Sequence, residues 1–130
     1  LFGENADWLI YRNSIAAGVN GHNGWDVWSL SDPVDNTPVL AAAEGLVVNA
    51  GPWPSRPLRG LCVAIQHDNL ETHYYHLSRI DVGVGDTVPQ GQQIGLMGSS
   101  GIEPPAPHLH FGVYDIHLAR FVDPATFLQV

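Results

Sequence analysis

The chain contains no lysine, and all five of its basic side chains are arginine. Aspartate and glutamate together number 13, which gives a formal net charge of −8 at pH 7. A protein that binds nucleic acid needs clustered positive charge to displace counterions from phosphates. The charge balance therefore argues against a nucleic-acid partner.

Cysteine and long apolar runs are also scarce. Cys62 is the single cysteine, so no internal disulfide is possible, and its apolar neighbours in "LCVAIQH" predict a small buried residue rather than a nucleophile. No apolar run approaches the roughly 20 residues of a membrane helix. The start, "LFGENADWLIYRN", carries Glu4 and Asp7 where a signal peptide would be basic and then apolar. We expect no membrane insertion in this segment, and we expect upstream sequence to have been removed.

Glycine and proline, by contrast, are abundant, with 14 and 10 of the 130 residues. They separate short apolar runs such as "GLCVAIQH" and "HLHFGVYD", a pattern typical of β-strands joined by turns. No segment holds a helical period beyond a turn or two, although "DPATFL" (123–128) could form a short helix. The predicted fold is mainly β, with at most one or two short helices. Length and a 45% hydrophobic composition fit a single domain, residues 1–130.

Three stretches are predicted to be long loops: "SLSDPVDNTP" (29–38), "NAGPWPSRPLRG" (49–60) and "GSSGIEPPAP" (98–107). Loops of this length in a compact domain often line a functional site. We therefore expect an antiparallel sheet that forms the floor of a groove, with these loops as its walls.

The segment "PHLHF" (107–111) places His108 and His110 one residue apart. Successive side chains of a strand point to opposite faces, so both imidazoles lie on one face and Leu109 on the other. Both rings can then address one atom, or one ring can bind a metal while the other lies beside it. By the same alternation, "THYYHL" (72–77) puts His76 beside Tyr74 and turns His73 away from the site.

A third element, "GHNGWDVW" (21–28), places His22 and Asp26 four residues apart. The glycines and Asn23 predict a turn that enters a strand and brings both side chains around one ion. Two neutral imidazoles and one carboxylate match the protein ligands of a catalytic zinc site, whose fourth position is left for water. The same ligand set holds iron in non-haem oxygenases, but those typically place the carboxylate two residues after the first histidine.

The ordered motifs "HNGWD", "YYHLS", "GDTVPQGQQIG", "GSSG" and "PHLHFGV" together resemble the lysostaphin-type (LytM-like) zinc metalloendopeptidases, which cut peptide bonds in bacterial peptidoglycan. The resemblance extends from about Phe2 to Asp115. The opening "FGEN" is similar to the start of catalytic domains in this family, so we expect the domain to be complete. The hairpin "VGVGDTVPQGQQIG" also resembles those of biotinyl and lipoyl carrier domains, but a carrier needs a lysine to modify.

The resemblance implies a role for each site residue. It implies that His22, Asp26 and His110 hold one Zn²⁺ per chain and that His76 and His108 are catalytic histidines. Every functional position of the family is occupied. The alternative is a catalytically silent peptidoglycan-binding or hydrolase-activator module, which only an assay separates from an enzyme.

The resemblance also implies partners and location. The expected partners are peptidoglycan peptides, the expected location is extracytoplasmic (periplasm, cell envelope or secreted), and we expect a monomer. The loop that carries Trp53, Arg56 and Arg59 is a candidate contact for carboxylates of stem peptides; the alternative is a solvated loop whose tryptophan packs on the body. We interpret His67 as structural or at the rim, and His117 as a surface residue.

Overall fold

The structure, a computed structural model, describes residues 8–12, 24–29, 37–103, 105 and 107–124. These ranges contain ten β-strands and one short 3-10 helix, Pro57–Arg59. The strands are β1 (Trp8–Arg12), β2 (Trp25–Ser29), β3 (Pro38–Leu40), β4 (Gly45–Pro52), β5 (Leu61–His67), β6 (Leu70–Ile80), β7 (Thr87–Val88), β8 (Gln93–Met97), β9 (Leu109–Asp115) and β10 (Arg120–Val122). Most of the segment predicted as a terminal helix, from residue 125 onward, lies outside the described residues.

All paired strands run antiparallel, in the order β1-β2-β9-β6-β5-β4-β7. Strand β10 pairs with β9, and β8 pairs with both β3 and β6. The prediction of a mainly β, antiparallel fold is confirmed. In the described part of the chain, no helix has the length and apolar character needed to cross a membrane.

One face of the central strands forms the hydrophobic core. Trp25 and Val27 of β2, and Leu109, Phe111 and Val113 of β9, are all buried in one apolar cluster. Because side chains alternate along a strand, the residues between them are presented on the opposite face. That second face, which carries Asp26 and His110, is called here the site face.

Strand β6 breaks this alternation at His76. His76 adopts a left-handed conformation with φ 68°, and the pairing of β6 with β8 shifts register one residue further on, between Leu77 and Arg79. Non-glycine residues rarely adopt positive φ, and a bulge of this kind redirects a side chain. Tyr74, in the regular part of the strand, belongs to the core and contacts Phe111 edge to face, whereas the break lets His76 reach the site face. The prediction that His76 lies beside Tyr74 on one face of the strand is therefore wrong.

A chain of hydrogen bonds, buried at Tyr74 and exposed at its Glu44 end, connects three segments. The Ala42 N–H donates to the Tyr74 hydroxyl over 2.9 Å, and that hydroxyl lies 2.8 Å from Oγ1 of Thr72. Oγ1 of Thr72 also lies 2.7 Å from Nε2 of His67, and Nδ1 of His67 lies 2.6 Å from the Glu44 carbonyl oxygen. Both ring nitrogens of His67 are thus engaged in the scaffold, which confirms its interpretation as structural.

Replacing Tyr74 with phenylalanine tests this chain. The change keeps the ring but leaves the buried Ala42 N–H without its acceptor and removes one of the two partners of the Thr72 hydroxyl, so we expect a loss of about 1–3 kcal/mol in the free energy of unfolding. Urea unfolding followed by circular dichroism measures it. Tyr114→Phe is the matched control, because no hydrogen bond to its hydroxyl occurs among the described residues. An equal, small effect in both variants would contradict the prediction.

Cys62 is fully buried, as its sequence context predicts. Its Sγ lies 3.3 Å from Nδ2 of Asn49 and 3.4 Å from the Gly51 carbonyl oxygen. Burial raises the pKa of the thiol to about 11. Since the thiolate is the reactive form, Cys62 is a structural residue and not a nucleophile.

Candidate metal centre and active site

Three adjacent strands place Asp26, His110 and Tyr75 in one row across the site face. Asp26 of β2 is the register partner of His110 on β9, and His110 is the partner of Tyr75 on β6. Nδ1 of His110 lies 3.2 Å from Oδ1 of Asp26. The ring of Tyr75 stacks on the imidazole of His110, with centroids 5.0 Å apart and planes 7° apart. Strand pairing therefore sets the position and the ring orientation of His110.

Two further histidines adjoin this row. Nε2 of His108 lies 3.5 Å from the same oxygen of Asp26, which places His108 and His110 on one face as predicted. The ring centroid of His76 lies 5.1 Å from that of His108 and 6.3 Å from that of His110. Asp26, His76, His108 and His110 are called here the histidine cluster. The fifth predicted site residue, His22, lies outside the described residues.

Hydrogen bonding keeps the carboxylate of the cluster ionised. Burial by itself opposes ionisation of Asp26, but hydrogen bonds from His108 and His110, together with their positive charge when protonated, hold the Asp26 pKa well below its usual range. A stable anion beside two imidazoles is an oxygen and nitrogen donor set of the kind that zinc takes.

Burial has the opposite effect on His76. It lowers the His76 pKa to about 4, even though a hydrogen bond to the Ser100 carbonyl oxygen favours the protonated ring. Nδ1 of His76 lies 2.9 Å from that carbonyl, so the neutral ring carries its proton on Nδ1 and keeps the lone pair on Nε2. Ser100 is itself anchored, since its Oγ accepts from the Leu61 N–H over 2.9 Å and donates to the Leu77 carbonyl over 2.6 Å.

Gly24 is a site residue that the motifs alone do not single out. A Cβ at this position would lie 2.9 Å from Nε2 of His110 and in still closer contact with the carbonyl oxygen of Phe111. Only glycine lets the chain before β2 pass this close to β9. The signal in the sequence is its position between His22 and Asp26, but sequence alone does not show which atoms it must clear.

The donor set fits zinc as far as the described residues extend. Among them, no group of three or more histidine, cysteine, aspartate or glutamate side chains is arranged to hold a metal ion. Two donor atoms, Oδ1 of Asp26 and Nδ1 of His110, do face each other across the β2–β9 pair. A structural or catalytic zinc site needs at least one more protein ligand. His22, which the resemblance implies as the third ligand, lies outside the described residues.

A second chain of hydrogen bonds supports the cluster from β6. The Tyr75 hydroxyl donates to Nδ1 of His73 over 3.1 Å, and Nε2 of His73 lies 2.9 Å from Oε1 of Glu71. Burial lowers the His73 pKa, so the ring is neutral and donates from Nε2 to the glutamate. The prediction that His73 faces away from the site is wrong, because the alternation that it assumed breaks at His76. His73 shares the face of Tyr75, and Tyr75 contacts His110.

The loop after β4 folds onto this same region. Trp53 stacks on His73, with centroids 5.7 Å apart, so its indole does pack on the body of the domain. The guanidinium carbon of Arg59 lies 4.6 Å from the Trp53 ring centroid and 4.7 Å from that of Tyr75. Trp53 thus packs on the domain, and the same loop also places Arg59 on the site face.

Comparison with known proteins places this geometry in a family. Residues 20–124 match the model of peptidase family M23, and the chain belongs to that family. It is 42% identical over 98 residues to the peptidoglycan DD-endopeptidase ShyA of Vibrio cholerae, covering 75% of this chain and 21% of that protein. It is 39% identical over 95 residues to the glycyl-glycine endopeptidase ALE-1 of Staphylococcus capitis, covering 72% of this chain and 25% of that protein. The chain thus spans a quarter or less of the length of either relative.

A solved structure agrees with the sequence comparison. A zinc-containing peptidase from Vibrio cholerae superimposes with a TM-score of 0.67 at 30% sequence identity, over 88% of this chain and 36% of that one. The family consists of zinc metallopeptidases, so the predicted class of protein is confirmed.

Proposed function

We propose that this chain is the catalytic domain of a zinc-dependent endopeptidase that hydrolyses peptide bonds of peptidoglycan, in stem peptides or cross-bridges. The convergence of Asp26, His76, His108 and His110 on one sheet face, in a member of a peptidase family, carries the proposal. Similarity to a peptidoglycan DD-endopeptidase supports the polymer as substrate class, and similarity to a glycyl-glycine endopeptidase leaves a second bond type open to test. Such a substrate would place the protein outside the cytoplasm.

In this proposal His22, Asp26 and His110 hold one zinc ion. Oδ1 of Asp26 and Nδ1 of His110 are the two donors whose approach supports this ligand set. Bound zinc would act as a Lewis acid that polarises the scissile carbonyl and lowers the pKa of water. Tyr75, stacked on His110 and hydrogen-bonded to His73, keeps the His110 ring in the required orientation.

The two remaining histidines handle protons. His76 is neutral, and its Nδ1–H is committed to Ser100, so Nε2 can accept the proton of the attacking water. His108 has its Nε2 3.5 Å from Oδ1 of Asp26 and its ring centroid 5.1 Å from that of His76, so it is the second imidazole that can act at the same centre. We therefore assign base character to His76, and we assign to His108 donation of a proton or hydrogen bond to the oxyanion or leaving amine.

The experiment that tests the proposal measures metal content and hydrolysis on one sample. Elemental analysis is expected to find one zinc per chain. The protein is then incubated with purified peptidoglycan, one type with glycine-containing cross-bridges and one with direct cross-links, and new amino groups are counted. We expect release with at least one wall type, loss of release with a chelator, and recovery with added zinc.

Two variants make the result specific. Asp26→Asn removes a proposed ligand with little change in volume and should abolish release, whereas His117→Ala, in the exposed turn before β10, should not. Bound zinc without cleavage of either wall would overturn the enzyme assignment in favour of a silent binding or activator module. Iron in place of zinc would point to an oxygenase.

A further inference from the structure

A cavity of about 770 Å³ opens on the site face next to the histidine cluster. Glu71 and His73 of β6 form part of its floor, and the loop after β4 and strand β10 form its walls. Tyr75 connects the two regions, because one contact of its ring is the stacked His110 and another is the guanidinium of Arg59. The cavity therefore adjoins the proposed catalytic centre across the ring of Tyr75. It is called here the arginine pocket.

The arginine pocket gathers most of the positive charge of an acidic protein. Three of the five basic residues, Arg56, Arg59 and Arg120, line it, although the chain has a net charge of −8. Arg79 lies elsewhere, on the exposed end of β6, where its Nε is 2.7 Å from a carboxylate oxygen of Asp81. The pocket lining includes one acidic residue, Glu71, and its carboxylate is engaged by His73. The cavity therefore presents a local excess of positive charge.

Aromatic rings hold Arg59 in place within this pocket. Its guanidinium carbon lies 4.6, 4.7 and 5.9 Å from the ring centroids of Trp53, Tyr75 and Phe121. Cation–π contacts of this kind fix the guanidinium group. Within the described ranges no carboxylate pairs with Arg59, so the N–H donors at the edge of the group remain available to a ligand. A planar guanidinium with fixed orientation matches the two oxygens of a carboxylate.

We propose that the arginine pocket binds a carboxylate group of the peptide substrate, with Arg59 as the principal contact and Arg56 and Arg120 contributing charge at its edge. That the ligand is a peptide rests on the function proposed above. The Tyr75 ring centroid lies 4.7 Å from the Arg59 guanidinium carbon and 5.0 Å from the His110 ring centroid. The guanidinium is therefore within about 10 Å of the His110 ring, which about three extended residues can span. The bound carboxylate thus belongs to a residue one to four positions from the cleaved bond.

The test uses matched peptides built around the bond that the wall digest identifies. One glutamate is moved through positions one to four on either side of that bond, and each peptide is paired with its glutamine counterpart. At one position we expect kcat/KM to favour glutamate about tenfold or more, since hydrogen bonds to charged groups contribute this much. In Arg59→Gln the ratio should fall close to one, and Arg59→Lys, which keeps the charge but not the planar donor pair, should give an intermediate ratio.

Further variants distinguish loss of charge inside the arginine pocket from loss of charge elsewhere on the protein. Arg56→Gln and Arg120→Gln change exposed residues of the pocket, so they preserve the fold and should each lower the glutamate preference in part. Arg79→Gln removes the same charge outside the pocket and should keep the full preference. An unchanged preference in Arg56→Gln, Arg59→Gln and Arg120→Gln, or none in the wild-type protein, would overturn the proposal.

A binding measurement tests the arginine pocket independently of the proposed hydrolysis. Isothermal titration calorimetry with N-acetylated, C-amidated peptides that contain glutamate or glutamine reports affinity whether or not cleavage occurs. Preferential glutamate binding that Arg59→Gln abolishes, in a protein that cleaves no wall, would support the pocket and refute the proposed hydrolysis. Wall cleavage with equal binding of both peptides would refute the pocket alone, as would tighter binding of glycerol phosphate than of the glutamate peptide.

Discussion

Replacing His110 with alanine is expected to empty the zinc site, whereas replacing His108 with alanine is expected to leave zinc bound and to stop turnover. In the proposed site His110 is a ligand whose Nδ1 faces Asp26, and losing one of three protein ligands removes most of the affinity for the metal. In the same proposal His108 is not a ligand but positions a proton, and such groups typically contribute about 10²- to 10⁴-fold to the rate.

The measurement is zinc per chain by elemental analysis, together with initial rates on the wall type that the wild-type protein cleaves. His117→Ala is the matched control, a histidine removed from an exposed turn, and should retain both zinc and rate. Equal zinc content in the His108 and His110 variants would contradict the division of roles. A His108 variant with zinc and undiminished turnover would remove His108 from the mechanism.

Gly24→Ala is expected to damage the site by adding a single methyl group. The new Cβ would lie 2.9 Å from Nε2 of His110 and closer still to the backbone of Phe111, which cannot move without disturbing the β2–β9 pairing. Overpacking of this kind typically costs about 1–3 kcal/mol of folding stability. Because the displaced strand also carries Asp26, zinc affinity and hydrolysis should fall with it.

Gly83→Ala provides the matched control for this substitution. A Cβ there would have its nearest neighbour, Oδ2 of Asp86, at 3.9 Å, which is ordinary contact. Urea unfolding and a competitive zinc titration on both variants measure the two effects. If Gly24→Ala matched Gly83→Ala in stability and zinc affinity, the close approach of β2 to β9 would not matter to the site.

The sequence predicted the class of the fold, and the placement of His108 and His110 on one face of a strand, because both depend on short-range regularities. Glycine and proline punctuate the strands, and a period of two places His108 and His110 on the same face with Leu109 in the core. Those relations hold within a few residues of chain. The same rule of alternation failed at His76. The left-handed backbone conformation of this residue has no signature in "YYHLS".

The arginine pocket could not be predicted from sequence motifs. Trp53 and Arg59 were visible as a tryptophan and an arginine in a proline-rich loop, and a role toward carboxylates was one interpretation of them. The sequence did not indicate that the loop folds over β6, that Tyr75 and Phe121 meet Arg59 there, or that Arg120 joins from β10. These contacts link segments separated by tens of residues, and no local pattern encodes them.

For this protein, then, the amino-acid sequence alone determined the family, the strand character and the histidines to be examined, since these follow from residue type and spacing along a single segment. The tertiary structure decided which side chains meet. It turned His76 to the site face, brought His73 and Tyr75 behind His110, and placed an arginine pocket beside the cluster. The physical reason is that strand register and loop packing are settled by the burial of the whole core, to which every segment contributes at once.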